Sequence, residues 1–147
     1  MDEQVPVQSS GIVDLELLEE RLSQGGISLL SVMTANNETG VIQPVEQIAR
    51  LCREHSVLFH TDAAQVYNRI ERTLPADFVT LSGHKMGAPK GVGALILNQE
   101  IEPLMLGGTQ ERGTRAGTLN APAIATWGEV VRERRVMSNE LQVGFEK

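Results

Sequence analysis

The sequence is short of the residues on which several kinds of protein depend. It has a single cysteine, Cys52, in 147 residues. That excludes an intrachain disulfide and any multi-cysteine zinc or iron–sulfur centre. A lone thiol suits a reducing compartment, so the cytoplasm is the expected location. Aromatic residues make up only 3% of the chain, and its core has to be built from aliphatic side chains. Positive charge is in deficit: 13 Lys+Arg against 19 Asp+Glu give a formal net charge of -6. Nucleic-acid binders draw affinity from basic patches that neutralise phosphates, so nucleic acid is not an expected partner. Long apolar runs are missing too. The longest, near Ile27 to Met33, is broken by serine and far too short to span a bilayer. The amino terminus, Met1-Asp2-Glu3-Gln4, is acidic and lacks the basic flank and apolar stretch of a secretory signal. Neither a membrane nor a secretory route is expected.

What is present suits one modest globular domain. Hydrophobic residues make up 41% and charged residues 22%, both near the usual values for a packed chain. Apolar periodicity alternates between helix-like and strand-like stretches, with no internal repeat and no low-complexity tract. Val13 to Leu22 puts Leu15, Leu18 and Leu22 on one helical stripe, and Gly25-Gly26 ends it. Ile27 to Met33 reads as a short buried strand. Pro44 to His55 forms a second helix, with Pro44 in its first turn and Val45, Ile48, Ala49 and Cys52 on the buried side. Ser56 to His60, Asp77 to Leu81 and Val92 to Leu97 are further strands. A last helix opens near Asn120 as cap, with Pro122 in its first turn and Ile124, Trp127 and Val131 on its apolar side, ahead of the charged run Arg132 to Arg135.

Strands alternating with helices predict an α/β layer structure with a largely parallel sheet. Such sheets bind ligands beyond the carboxyl ends of their strands. The polar residues just after the strands are therefore the candidate site: Asn36-Asn37-Glu38, then Asp62 and Gln65, then Ser82 to Lys85.

Several motifs fail when tested against the chemistry they would need. Gly83 to Lys90 does not fit the phosphate-loop pattern G-x-x-x-x-G-K-[ST]. Gly91-Val92-Gly93 starts like a dinucleotide fingerprint, but Ile96 stands where its third glycine belongs. His55, His60, His84 and Asp62 match no standard zinc spacing, and no metal is expected. One combination survives: a lysine at a strand terminus with a carboxylate after a neighbouring strand. Pyridoxal phosphate (PLP) chemistry uses a lysine amine for a Schiff base and a carboxylate to keep the pyridine nitrogen protonated. Ser82, Gly83 and His84 offer a hydroxyl, backbone N–H groups and an imidazole for the phosphate. On residue chemistry alone, Lys85 remains open to a reading as a solvated strand-end residue, and Asp62 to one as a turn former.

The residues at these positions carry a resemblance. His60-Thr61-Asp62-Ala63-Ala64-Gln65 and Leu81-Ser82-Gly83-His84-Lys85 resemble the cofactor-binding segments of cysteine desulfurases, in the class V aminotransferase group of fold-type-I PLP enzymes. The likeness extends upstream to Asn36-Asn37-Glu38-Thr39-Gly40. Downstream it takes in Pro89 to Leu95 and the stretch Gly107 to Thr118. Five ordered blocks cover nearly the whole chain from about Pro6.

The resemblance implies a role for each matching position. Lys85 is the implied Schiff-base lysine and proton shuttle at the substrate's α-carbon. Asp62 is the partner of the pyridinium nitrogen, Gln65 of the ring's phenolic oxygen, and Asn37 contacts the cofactor and substrate side of the ring. Ser82, Gly83 and His84 belong to the phosphate site, and Thr118 to the phosphate site of the other subunit in a homodimer. The implied reaction converts L-cysteine to L-alanine, with sulfur leaving as an enzyme persulfide for a sulfur-acceptor protein, as in iron–sulfur cluster assembly. The chain matches the middle of the family's large domain. The expectation is therefore that an amino-terminal part and a carboxyl-terminal small domain, with the family's nucleophilic cysteine loop, lie outside it. Cys52, on the buried stripe of its helix, is read as core and not as the sulfur-accepting nucleophile.

The sequence departs from the family pattern at Ala88, Thr109 and Asn68, where glycine is usual. Alanine at a position needing positive φ would be strained. Two other functions stay open. One is a short non-catalytic protein that binds PLP or a partner desulfurase. The other is a segment of a different class V enzyme, such as a selenocysteine lyase, kynureninase or aminotransferase, although the Gly107 to Thr118 block favours a desulfurase.

Overall fold

The structure, a computed structural model, describes residues 3–66 and 74–145, with side chains as far as residue 133. Asn68 lies outside the described residues. The chain forms two compact units, one of residues 1–81 and 94–98 and the other of residues 82–93 and 99–147.

In the first unit, helix α1 (Leu15–Ser23) starts at Asp14, whose carboxylate accepts a hydrogen bond from Leu17 N at 3.1 Å. This satisfies one of the donors that a helix start leaves unpaired. Leu18 and Leu22 are buried, while Leu15 is half-buried. Gly25 and Gly26, at φ +72° and +80°, turn the chain where a residue with a Cβ would be strained. Helix α2 (Val45–Glu54) buries Val45, Ile48, Ala49 and Cys52, the stripe that its 3.6-residue period predicts.

Strands β1 (Leu29–Ser31), β2 (Leu58–Asp62) and β3 (Phe78–Ser82) run parallel, with β2 central. Leu29 pairs with Leu58, Ser31 with His60, His60 with Phe78 and Asp62 with Thr80. The ladder continues past β1, where Val32 N and Thr34 N donate to His60 O and Asp62 O at 3.1 and 2.8 Å. The pleat gives the sheet two unlike faces. Leu30, Phe59, Thr61, Val79 and Leu81 are buried and share one face. On the other, Leu29 and Leu58 are 50% and 39% exposed. The run Ile27 to Met33 is therefore not the fully buried strand that its composition suggests. Only Leu30 and Val32 are buried, because β1 is the first strand of the described order β1-β2-β3-β4 and its open face has no covering layer among the described residues.

Strand β4 (Gly93–Leu97) lies beside β3. Gly83 N donates to Val92 O, and Asn98 N to Asp77 O, at 3.0 and 2.9 Å. Partners that fall in number on one side as they rise on the other make this pair antiparallel. The reason is length: a parallel crossover needs a dozen or more residues, and the link from Ser82 to Gly93 holds only a 3-10 turn, Gly83–Met86. The sheet is thus mostly parallel, with one antiparallel edge.

In the second unit, helix α3 (Ala121–Phe145) is capped by Asn120, whose Oδ1 accepts from Ala123 N at 3.3 Å. Pro122 sits in the first turn, where its missing N–H costs nothing. The apolar stripe differs from the expected one. Ala123 and Trp127 are buried at 5% and 9%, whereas Ile124 is 41% exposed and Val131 half-buried. The helix turns Val130 toward the 3-10 segment, where a Cβ on Gly87 would lie 3.8 Å from Val130 Cγ1. Among the described residues, no helix is long and apolar enough to cross a membrane.

Candidate functional site

Asn37, Asp62 and Gln65 belong to the first unit, and Ser82, Gly83, His84, Lys85 and Thr118 to the second. Each group has its own local logic.

In the first unit, the loop after β1 is shaped by Asn36. Its Oδ1 accepts from Glu38 N and Thr39 N, both at 2.9 Å, and Ala35 bridges to Ile42 across the loop. Asn36 is therefore the turn former, which leaves Asn37 exposed at the loop tip. Asp62 closes β2 and is half-buried. Its Oδ1 accepts from Ala64 N at 2.8 Å, which fixes the carboxylate against its own chain. Ala63 N continues the ladder to Thr80 O at 3.0 Å. Gln65 is half-buried one turn later.

A feature absent from the sequence-derived site lies beside Asp62. The His60 ring bridges three strands, with Nδ1 2.7 Å from Ser31 Oγ and Nε2 2.8 Å from Thr80 Oγ1. The pairing of His60 with Asp62 at i and i+2 was legible as a shared face. Its hydroxyl partners lie 29 and 20 residues away and have no local signal.

In the second unit, Ser82, Gly83, His84 and Lys85 form the end of β3 and the start of the 3-10 turn. Ser82 Oγ and His84 Nδ1 are 3.0 Å apart, so the hydroxyl orients the imidazole. His84 and Lys85 are exposed, and the next residue, Met86, is buried. Gly83 has a role that its sequence context did not reveal. A Cβ there would meet Val92 Cγ1 at 2.7 Å and Val92 O at 2.9 Å. The Gly83 N–H, expected to face a phosphate, donates instead to Val92 O. Glycine is needed for close strand approach. Ala88 is buried and its N–H donates to Gly83 O at 3.0 Å. Positive φ outside glycine occurs among the described residues at Ser56, Glu111 and Arg112, so alanine at position 88 carries no left-handed strain.

The stretch Gly107 to Thr118 is largely exposed, including Arg112, Arg115 and Thr118. Glu111 and Arg112 adopt φ +48° and +58°. Just before it, Leu104 is fully exposed and Leu106 is 82% exposed.

Cys52 is 1% exposed, and burial, with the charge of Asp77 adding to it, pushes its thiol up to about 11. At neutral pH it is a neutral core group, not a nucleophile. No group of three or more His, Cys, Asp or Glu suited to a metal occurs among the described residues.

Each unit offers groups that suit PLP chemically: in the second, an exposed amine and a hydroxyl–imidazole pair of the kind its amine-reactive carbon and phosphate call for; in the first, a carboxylate pinned at a strand end of the kind its ring nitrogen calls for. Comparison with known proteins identifies relatives. Cysteine desulfurase IscS of Ehrlichia chaffeensis is 44% identical over 143 residues, which is 91% of this chain and 35% of that protein. The mitochondrial cysteine desulfurase of Drosophila melanogaster is 47% identical over 125 residues, 80% of this chain and 27% of that one. Among solved structures, a NifS-like protein from Rickettsia africae superposes with a TM-score of 0.83 at 41% identity, covering 88% of this chain and 38% of the other. The chain spans about a third of the length of the curated relatives it matches. The aminotransferase class-V model matches residues 3–137, and the chain belongs to that family.

Proposed function

We propose that this chain is the central PLP-binding segment of a cysteine desulfurase acting on L-cysteine. The observation that carries the reading is the end of β3, where Ser82 orients His84 at 3.0 Å and Lys85 follows exposed on the 3-10 turn.

When bound, PLP supplies an electron sink for charge developing at a substrate α-carbon. Asp62 would hold the proton on the ring nitrogen, its carboxylate steadied by Ala64 N. Gln65 would donate to the phenolic oxygen, and Asn37 would contact the ring's substrate side. Ser82 and His84 would bind the phosphate, and Gly83 would let the strand reach them. Lys85 would anchor the cofactor through its amine and move the α-proton. Thr118 would serve the phosphate site of a partner subunit. That role implies a homodimer with the Gly107–Thr118 loop at its interface, and the exposure of Leu104 and Leu106 supports the same reading.

Cys52 is the only cysteine of the 147 residues, and it is buried. The thiol that takes sulfur from L-cysteine must therefore come from elsewhere, as must any sulfur acceptor. This observation also favours a second reading, a PLP-binding protein without turnover. The purified chain with PLP should show a visible absorption band that Lys85→Ala abolishes. It should release no sulfide from L-cysteine above free PLP. A band unaffected by Lys85→Ala, or sulfide release lost in Cys52→Ala, would overturn the assignment.

A further inference from the structure

Three residues of the first unit form a chain of hydrogen bonds on the open face of the sheet: Ser31 on β1, His60 on β2 and Thr80 on β3. Ser31 stands directly across from His60, and Thr80 directly across from Asp62. The imidazole thus runs diagonally, from its own level on β1 to the level of Asp62 on β3. Both ring nitrogens are engaged, at 2.7 and 2.8 Å. A hydroxyl can donate or accept. The bridge therefore closes in either neutral tautomer, and also when both nitrogens carry protons.

We propose that His60 is a positioning residue for Asp62. By tying β2 to both neighbours through Ser31 and Thr80, it fixes the level at which the Asp62 carboxylate leaves the strand. The proposal rests on the reading of Asp62 as the partner of the PLP ring nitrogen. The backbone around Asp62 shares the constraint. Asp62 O accepts from Thr34 N at 2.8 Å, and the next residue, Ala63, donates to Thr80 O at 3.0 Å. Losing the imidazole would leave the backbone ladder, including these two bonds and Val32 N to His60 O at 3.1 Å, to hold the level of Asp62 without a side-chain tie on this face. Thr34 and Thr61 do not substitute for it, since their hydroxyls bond each other at 2.7 Å on the buried face.

The alternative, that the bridge only adds stability, makes a different prediction, and two measurements separate them. The first uses the chain without cofactor. Amide hydrogen exchange in His60→Ala and Thr80→Val should accelerate about tenfold or more at Thr34 and Ala63, while protected amides of α1 keep their rates. Uniform acceleration throughout the unit would mean global destabilisation and overturn the proposal. The second uses PLP itself, followed by the visible band. His60→Ala should weaken PLP about tenfold or more, the scale on which outer partners of a ligand group act. His60→Gln, whose amide keeps one donor and one acceptor, should recover part of that loss. Ile48→Val, a core change that lowers stability, should leave PLP affinity unchanged. Equal affinity in His60→Ala and the unsubstituted chain would overturn the proposal. No band from the unsubstituted chain would refute the cofactor reading instead, and the exchange pattern alone would then decide the bridge.

Discussion

Replacing Gly83 by alanine adds one methyl group at the tightest point of the β3–β4 junction. The new carbon would lie 2.7 Å from Val92 Cγ1, 2.9 Å from Val92 O and 3.4 Å from Ala88 Cβ. Rotation of the valine side chain relieves the first contact but not the second. That carbonyl is held by the Gly83 N–H at 3.0 Å, so moving it away stretches the bond that pairs the strands. Overpacking of this kind costs about 1–3 kcal/mol, and weakening the backbone bond adds about 1 kcal/mol. Opposing this, alanine restricts the unfolded chain by about 0.4–1 kcal/mol, because Gly83 is not among the positive-φ glycines. The net expectation is a loss of about 1–3 kcal/mol. At a typical urea slope of about 1–3 kcal/mol/M, the midpoint falls by about 1 M. Urea unfolding followed by far-UV circular dichroism reads this directly. The double variant Gly83→Ala/Val92→Ala should recover only part, since the carbonyl contact remains. A Gly83→Ala midpoint within about 0.2 M of the unsubstituted chain would refute the reasoning on close approach.

Two further expectations follow from the packing. Cys52 has its thiol raised from the ordinary 9.0 to about 11 by burial and Asp77. The unfolded state therefore loses this proton first, and stability should be complete below about pH 9 and decline as pH rises toward about 11. Cys52→Ala should flatten that part of the urea-midpoint profile, and a thiol reagent at pH 8 should label the unfolded chain far faster than the native one. An unchanged slope in the variant, or rapid native labelling, would contradict the burial of this group. Asp14→Ala removes the acceptor that satisfies Leu17 N and should cost about 0.5–2 kcal/mol, read as a lower thermal midpoint. An unchanged midpoint would show that the cap adds nothing.

The helices were legible where a single face decides their burial. Val45, Ile48, Ala49 and Cys52 repeat at helical spacing and all four are buried, because α2 meets both α1 and β2 and this stripe is its apolar side. Strand β1 was less legible. A run of apolar residues looks the same whether one face or both are covered, and only the sheet shows that Leu29 and Met33 face outward. For α3, Ile124 and Trp127 are both apolar at helical spacing. The packing of α3 against the 3-10 segment, a partner distant in the sequence, goes with the burial of Ala123 in place of Ile124. The candidate site divides in the same way. The positions of Asp62, Ser82, His84 and Lys85 at or just after strand ends were readable, because each stands directly behind a short apolar run. The His60 bridge and the steric need for Gly83 were not, since each depends on a partner strand whose register the sequence does not print.

These contrasts also explain how two asparagines and two glycines come to do different work. Asn36 spends its side chain on backbone N–H groups of its own loop, which is what holds Asn37 outward. Gly87 is needed for its left-handed φ of +98°, whereas Gly83 is needed for the space it leaves. A sequence shows the residue type in both cases, and the fold assigns the reason.

The central claim is that Lys85 is the lysine that carries PLP. The most direct test is to load the chain with PLP, reduce with borohydride, and map the modified peptide. The account predicts one stable secondary-amine adduct, on Lys85. An adduct on Lys90, or one spread over several lysines, would contradict it.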